Sequence, residues 1–193
     1  MHVSPAVVNF LVPMDSALLY WLAAHRTPAV DGLMWVLTQV GRAGAVWLAL
    51  GIGAAALRRA NVSGVWQMGL ALLLTLLVSD GILKPVVHRA RPYDVMADLP
   101  VLGDRPGNPS FPSGHAASSF AAALSLSRAW PAARIPLWAL AVLISVSRAY
   151  LGLHYPSDVL GGALVGLACA MLVVGGTSWS RPERRRVESR RQF

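Results

Sequence analysis

The sequence predicts an all-α protein, a polytopic membrane helical bundle of about five to six membrane helices. Three observations carry that expectation. Hydrophobic residues fill 55% of the 193 positions and charged residues only 13%, with a mean hydropathy of +0.51, a balance wrong for a soluble globule. The apolar residues come in long continuous runs rather than in period-2 alternation. Arginines gather between and after those runs, as expected where connectors are sorted by side of a membrane. One integral membrane domain is expected over residues 1–180, followed by a basic tail over 181–193. The formal charge of +8 would suit nucleic acid, but six arginines against two glutamates place half of it on that tail. No aromatic-interleaved basic surface accompanies the tail, so it reads as a cytoplasmic anchor and no nucleic-acid partner is expected. The single cysteine, Cys169, lies in an apolar run and reads as a small packing residue.

Taken in order, residues 6–24 are apolar but interrupted by Asn9, Pro13, Asp15 and Ser16. They read as an interfacial helix ahead of a span. Asp31 to Gly44 carries a short helical pattern (Leu33, Val36, Leu37, Val40) closed by Gly41 and Gly44. Ala45 to Leu57 is continuously apolar and stops at Arg58-Arg59; Gly64 to Leu83 is a further apolar run, charged only at Asp80. At about 1.5 Å per residue the second run is long enough to cross a bilayer. Residues 84–114 change character, being rich in charge and proline, and read as one long extramembrane loop. Three apolar segments follow, His115–Trp130, Ile135–Leu151 and Pro156–Gly175. The first is crowded with alanine and serine and the last contains Gly162-x-x-x-Gly166, both suited to close helix packing. If each segment crosses once, Arg58-Arg59, the Arg128/Arg134 turn and the tail share the cytoplasmic side of the inner membrane. The 84–114 loop and the turn at His154 then meet on the extracytoplasmic side.

Three motif pieces share that side: Lys84 followed after six residues by Arg91-Pro92; Pro112-Ser113-Gly114-His115; and Ser147-Arg148, five residues, His154, three residues, Asp158. Lys84, Arg91 and Arg148 are three cations without matching acids, a set that an anion completes, and guanidinium forks match phosphate oxygens. Ser113 is a natural N-cap, and the free N–H groups that follow it at Gly114 and His115 form an anion site at a helix start. Pro156 suits a first helical turn, so His154 stands just ahead of a helix that contains Asp158. An Asp on one imidazole nitrogen leaves the other free to attack phosphorus, and His115 can protonate the leaving oxygen. Together these spell phosphoryl transfer through a phosphohistidine. His154 with Asp158 also reads as two metal ligands, a reading the neighbouring arginines oppose.

The three pieces resemble the signature of the type 2 phosphatidic acid phosphatase family, which shares its site with bacterial acid phosphatases and vanadium-dependent haloperoxidases. Every motif position is matched, in order, over residues 84–158. The resemblance implies a membrane hydrolase with His154 as nucleophile, Asp158 as its orienting partner and His115 as general acid. It implies phosphate binding by Lys84, Arg91, Ser113, Gly114 and Arg148, with no metal and no cofactor. The expected substrate is a lipid mono- or diphosphate such as undecaprenyl diphosphate, phosphatidylglycerophosphate, phosphatidic acid or a lipid A phosphate. A lipid phosphotransferase with the same site is the nearest alternative, and an anion transporter the alternative from another class. Asp80, four residues before Lys84, reads either as its orienting partner or as an exposed helix-end residue. His88 and Arg89 read at most as headgroup contacts, and the tryptophans, Trp47 among them, as an interfacial belt.

Overall fold

The computed structural model describes residues 5–179, and the expected basic tail over 181–193 lies outside the described residues. The order is α1 (Pro5–Ala24), α2 (Pro28–Val40), a 3-10 turn (Arg42–Gly44), α3 (Ala45–Ala56), α4 (Val62–Leu76), a π-helical stretch (Leu77–Leu83), the one-turn helices α5 (Lys84–Val87) and α6 (Pro92–Val95), α7 (Gly114–Ala129), a second 3-10 turn (Pro131–Ala133), α8 (Arg134–Tyr150) and α9 (Pro156–Trp179). No strand occurs among the described residues. By length and composition three stretches can cross a membrane: Val62–Val95, Pro131–Tyr150 and Pro156–Gly176. Counting α2 with α3, bent by 68° at the first 3-10 turn, as one broken span brings the total to four.

The small residues of α7 decide the centre of the bundle. Ala116, Ala117, Ala121, Ala122 and Ala123 are all fully buried, and α4, α8 and α9 pack around this helix. Helices in lipid gain little from apolar burial alone, so close backbone approach matters more. Gly162 and Gly166 supply it: a Cβ at Gly162 would stand 2.4 Å from the Ser113 carbonyl oxygen, and one at Gly166 2.0 Å from that of Ala117. The start of α7 is thereby pressed onto the start of α9. At the opposite end Asn61 caps α4, its side chain accepting from the Gly64 N–H at 2.6 Å, while its own N–H donates to the Ala129 carbonyl at 3.3 Å.

Two expectations are corrected here. The chain does not leave the helix at Lys84. The π-helical stretch carries it on, with the Lys84 N–H donating to the Ser79 carbonyl, and the helix ends only after Val87, where His88 takes a left-handed φ of 46°. Pro85 falls in the first turn of α5, where its missing N–H does not break the ladder. Trp47 is not part of an interfacial belt: it is fully buried in the core formed with Met68, Leu126 and Ile144, and its indole N–H donates to Ser119 Oγ at 3.2 Å. Trp66, at 72% exposure, does face outward.

Candidate active site

The third motif piece folds around one glycine. After Tyr150 the chain turns at Gly152, whose φ of 77° suits a residue without Cβ. A side chain there would also press to 3.3 Å from the Pro100 carbonyl oxygen. The turn lets the N–H groups of Leu153 and His154 both donate to the Arg148 carbonyl, at 3.0 and 3.2 Å. The five-residue spacing between Arg148 and His154 is thus a helix C-cap, and Pro156 then opens α9. The Ser113 N–H donates to the Asp158 carbonyl at 3.0 Å, which locks the second motif piece against the third.

His154 is 2% exposed, and groups of opposite charge face its two nitrogens. Nδ1 lies 3.6 Å from Asp158 Oδ2 and 3.5 Å from Ser110 Oγ. Nε2 lies 3.3 Å from Arg91 Nη1. Burial pushes the imidazole well below 6.5, to about 4; Asp158 pulls it upward, while Arg148 and Arg91 press it further down. At neutral pH the ring is therefore uncharged, with its lone pair on Nε2 turned toward the cationic side.

Arg91 is 3% exposed and held by the loop: Nε donates to the Asn108 carbonyl at 2.7 Å, Nη2 to Asn108 Oδ1 at 2.6 Å and Nη1 to the Leu153 carbonyl at 2.8 Å. Arg148 donates through Nη1 to Thr38 Oγ1, and its Nε, though buried, has no partner. Lys84 is buried and reaches Asp80 at 2.5 Å. A Cβ on Gly114 would lie 3.5 Å from the Asp80 carboxylate and 3.9 Å from Lys84 Nζ, so this pair stands against the start of α7. Lys84 is thus not an unmatched cation, and Asp80 is its partner rather than a free helix end. Ser113 occupies the N-cap position of α7 but makes no capping bond; its Oγ is buried and unpartnered.

His154, Arg91, Arg148, Lys84, Asp80 and Gly114 border one cavity of about 580 Å³. Its polar end holds Lys84, Arg91, His115, Arg148 and His154; its other wall is leucine from α3 and α4, including Leu73 and Leu76, which are exposed on the outer face of the bundle. His115 contributes an imidazole whose Nε2 is 3.1 Å from the Thr38 carbonyl, leaving Nδ1 as the nitrogen that can serve a ligand. Among the described residues no three His, Cys, Asp or Glu side chains converge as a metal site.

Residues 84–158 are therefore brought together as the motif spacing predicts. The supporting residues are the ones the sequence reading missed. Thr38 serves both His115 and Arg148; Asn108 holds Arg91; Ser110 donates to Asp158 Oδ2 at 2.5 Å. Arg89 is no headgroup contact: its Nη1 donates to Asp158 Oδ1 at 2.6 Å and its Nη2 to Asp15 at 2.8 Å. Only Asp15 carried a signal, as a charge inside an apolar run.

The family model described as PAP2 superfamily matches residues 64–182, more than half of the chain. The chain belongs to the PAP2 superfamily. It is 33% identical over 177 residues to the lipid A 4'-phosphatase of Bacteroides thetaiotaomicron, covering 83% of this chain and 75% of that one. It is 30% identical over 157 residues to the undecaprenyl-diphosphatase of Sulfolobus acidocaldarius, covering 78% and 72%. Among solved structures, the transmembrane PAP2-type phosphatidylglycerolphosphate phosphatase of Bacillus subtilis superposes with a TM-score of 0.73 at 27% identity, covering 94% of this chain and 90% of that one. This PAP2 protein is accordingly an enzyme, a hydrolase of the membrane phosphatase class.

Proposed function

We propose that this PAP2 hydrolase is a metal-independent phosphatase that removes a phosphoryl group from a lipid mono- or diphosphate through a phosphohistidine at His154. The observation that carries the reading is a buried guanidinium nitrogen without a partner, Arg148 Nε, on a residue that lines the cavity together with His154, His115, Lys84 and Arg91. An orphaned buried donor is costly, and a phosphoryl oxygen would satisfy it. The leucine wall accepts an acyl or prenyl tail, and the phosphate lies at the polar end.

In the first half-reaction His154 Nε2 attacks phosphorus as the bond from phosphorus to the lipid oxygen breaks. His115, made an imidazolium by the negative charge of the bound phosphate and with its Nε2–H held by the Thr38 carbonyl, gives its Nδ1 proton to that oxygen. In the second, water attacks phosphorus as the bond from phosphorus to His154 Nε2 breaks, His115 takes the water's proton at Nδ1, and inorganic phosphate leaves. Asp158 holds Nδ1 and offsets the positive charge that the phosphorylated ring develops. Lys84, Arg91, Arg148, Ser113 and the first N–H groups of α7, at Gly114 and His115, bind the equatorial oxygens. Divalent metal has no part in this scheme, because Arg89 and Arg91 flank the His154–Asp158 pair on both sides.

Arg58, Arg59, Arg128 and Arg134 cluster at the end of the bundle where Asn61 meets Ala129, opposite the site. The positive-inside rule then puts the site on the extracytoplasmic face of the inner membrane, with α1 and α7 bringing the count of membrane helices to five or six. Residues 1–180 act as one domain, with 181–193 a cytoplasmic tail.

The test is purified protein in detergent with EDTA, assayed against undecaprenyl diphosphate, phosphatidylglycerophosphate, phosphatidic acid and a lipid A phosphate. Release of phosphate and an acid-labile, alkali-stable phosphoprotein are expected, both absent in His154→Ala. Phosphate release that needs a second lipid as acceptor would replace hydrolysis by transfer. Anion flux into liposomes that survives His154→Ala would replace both.

A further inference from the structure

Behind Asp158 lies a second buried charge cluster that the chemistry above does not use. Asp15, on the mostly apolar helix α1, is 4% exposed. Its Oδ2 accepts from Arg89 Nη2 at 2.8 Å and from the Ser157 hydroxyl, and its Oδ1 accepts from the Ser157 N–H at 2.9 Å. Arg89 turns its other terminal nitrogen, Nη1, to Asp158 Oδ1 at 2.6 Å and to Ser157 Oγ at 2.7 Å. The Tyr155 ring lies 4.0 Å from its guanidinium carbon. A carboxylate–guanidinium–carboxylate chain thus runs from α1, through the segment after α5, into the first turn of α9.

Two buried carboxylates bridged by a half-buried guanidinium are a poor way to anchor α1, since well-packed apolar residues of similar volume usually serve stability as well or better. Their arrangement around the histidine is more telling. Arg89 occupies Oδ1 of Asp158; Oδ2, which also takes Ser110 Oγ and the Tyr155 N–H, is the oxygen 3.6 Å from His154 Nδ1. Without Asp15, the Arg89 fork would be free to swing across both oxygens, and Arg89 with Asp158 would form a neutral pair. With Asp15 the cluster keeps one net negative charge beside a ring that turns positive during turnover. His154 otherwise faces Arg148 from α8, Arg91 from the loop and His115 from α7, and Asp158 is the acid that faces it from α9.

We infer that Asp15 and Arg89 are positioning residues for the nucleophile: Asp15 holds the Arg89 guanidinium on Oδ1 of Asp158, which keeps Oδ2 turned to His154 Nδ1 and leaves net negative charge beside the ring. The inference rests on the reading of His154 as nucleophile.

The experiment compares wild type, Asp15→Asn, Asp15→Glu and Arg89→Gln in detergent, on a lipid phosphate that the wild type hydrolyses. It records kcat and KM across pH, orthovanadate inhibition as a measure of the phosphate cradle, and thermal melting. Asp15→Asn is expected to lose ten- to a hundredfold in kcat, with KM and vanadate inhibition within about twofold, and Asp15→Glu to recover part of the loss. The acid limb of kcat/KM is expected to move in opposite directions, downward in Asp15→Asn and upward in Arg89→Gln, by about half to one pH unit for one charge at this range. Normal kcat with an unmoved acid limb in Asp15→Asn overturns the inference. So does a kcat loss that follows a lowered melting point while the limb stays in place. If Asp15→Asn does not fold, Arg89→Gln decides alone: a limb that stays put overturns the inference. A wild type inactive on every lipid phosphate overturns the reading of the site, and this inference with it.

Discussion

Two buried charge clusters lie back to back across His154, and they differ in how completely they are satisfied. On the Nδ1 side, Asp15, Arg89, Ser157, Ser110 and Asp158 saturate one another; each carboxylate accepts at least three hydrogen bonds. On the Nε2 side, Arg148 keeps a buried nitrogen without a partner beside the cavity, and Ser113 Oγ at the start of α7 is buried and unpartnered as well. Both clusters cost desolvation. The first recovers it within the protein and so behaves as scaffold. The second leaves a buried donor open, which the anion of the proposed reaction would fill, so saturation is the feature that distinguishes the two clusters.

The contrast can be broken or sharpened by substitution. The largest effect is expected from His154→Ala, which sits between the clusters: hydrolysis should fall by about 10⁴-fold or more, as for other removed nucleophiles. Phosphate release in detergent measures it, and a residual rate within tenfold of wild type would remove His154 from the mechanism. Next comes Arg148→Ala, which takes a donor from the open cluster. A kcat loss of about 10²–10³-fold is expected, with little restored in Arg148→Lys, since an ammonium cannot reproduce a planar fork whose Nη1 also binds Thr38.

A matched pair of serines tests the difference itself. Ser113→Ala deletes an unpartnered hydroxyl, so melting should hardly change while kcat/KM falls about tenfold. Ser110→Ala leaves a buried carboxylate short of a donor, so it should cost about 1–2 kcal/mol of stability, read as a lower melting temperature. Equal effects of the two substitutions would erase the distinction. The smallest effect is a pH dependence. His154 is held near 4 rather than 6.5, so its neutral, attacking form persists as pH falls and is lost only on going through about 4. An ordinary imidazole would have lost about tenfold in neutral fraction by pH 5.5. An acid limb of kcat/KM near 6.5 would show that His154 is not buried as described.

Much of the reactive set was legible in the sequence because motif spacing and local geometry coincide. Arg148 and His154 bracket a glycine-dependent helix cap, Pro156 sets the start of α9, and Ser113-Gly114-His115 opens a helix. Composition likewise located the apolar segments, with boundaries close to those of α3, α7 and α8. The reading went astray where neighbours decide. Trp47 looked like a segment-end tryptophan until α4, α7 and α8 closed over it. Lys84 looked like the first residue of a loop until a π-helical stretch carried it inward to Asp80. Arg89 looked peripheral because its two partners lie 69 and 74 residues away along the chain.

What the sequence determined by itself was therefore the membrane character, the helical segments and the set of motif residues that gather at one site, each encoded in runs or spacings along one stretch of chain. Tertiary structure alone decided which buried charges are closed and which stay open. Closure depends on hydrogen-bond partners from distant elements, Asp15 of α1, Thr38 of α2 and Ser110 of the loop, arriving within about 3 Å of a given oxygen or nitrogen, and no local pattern records that arrival.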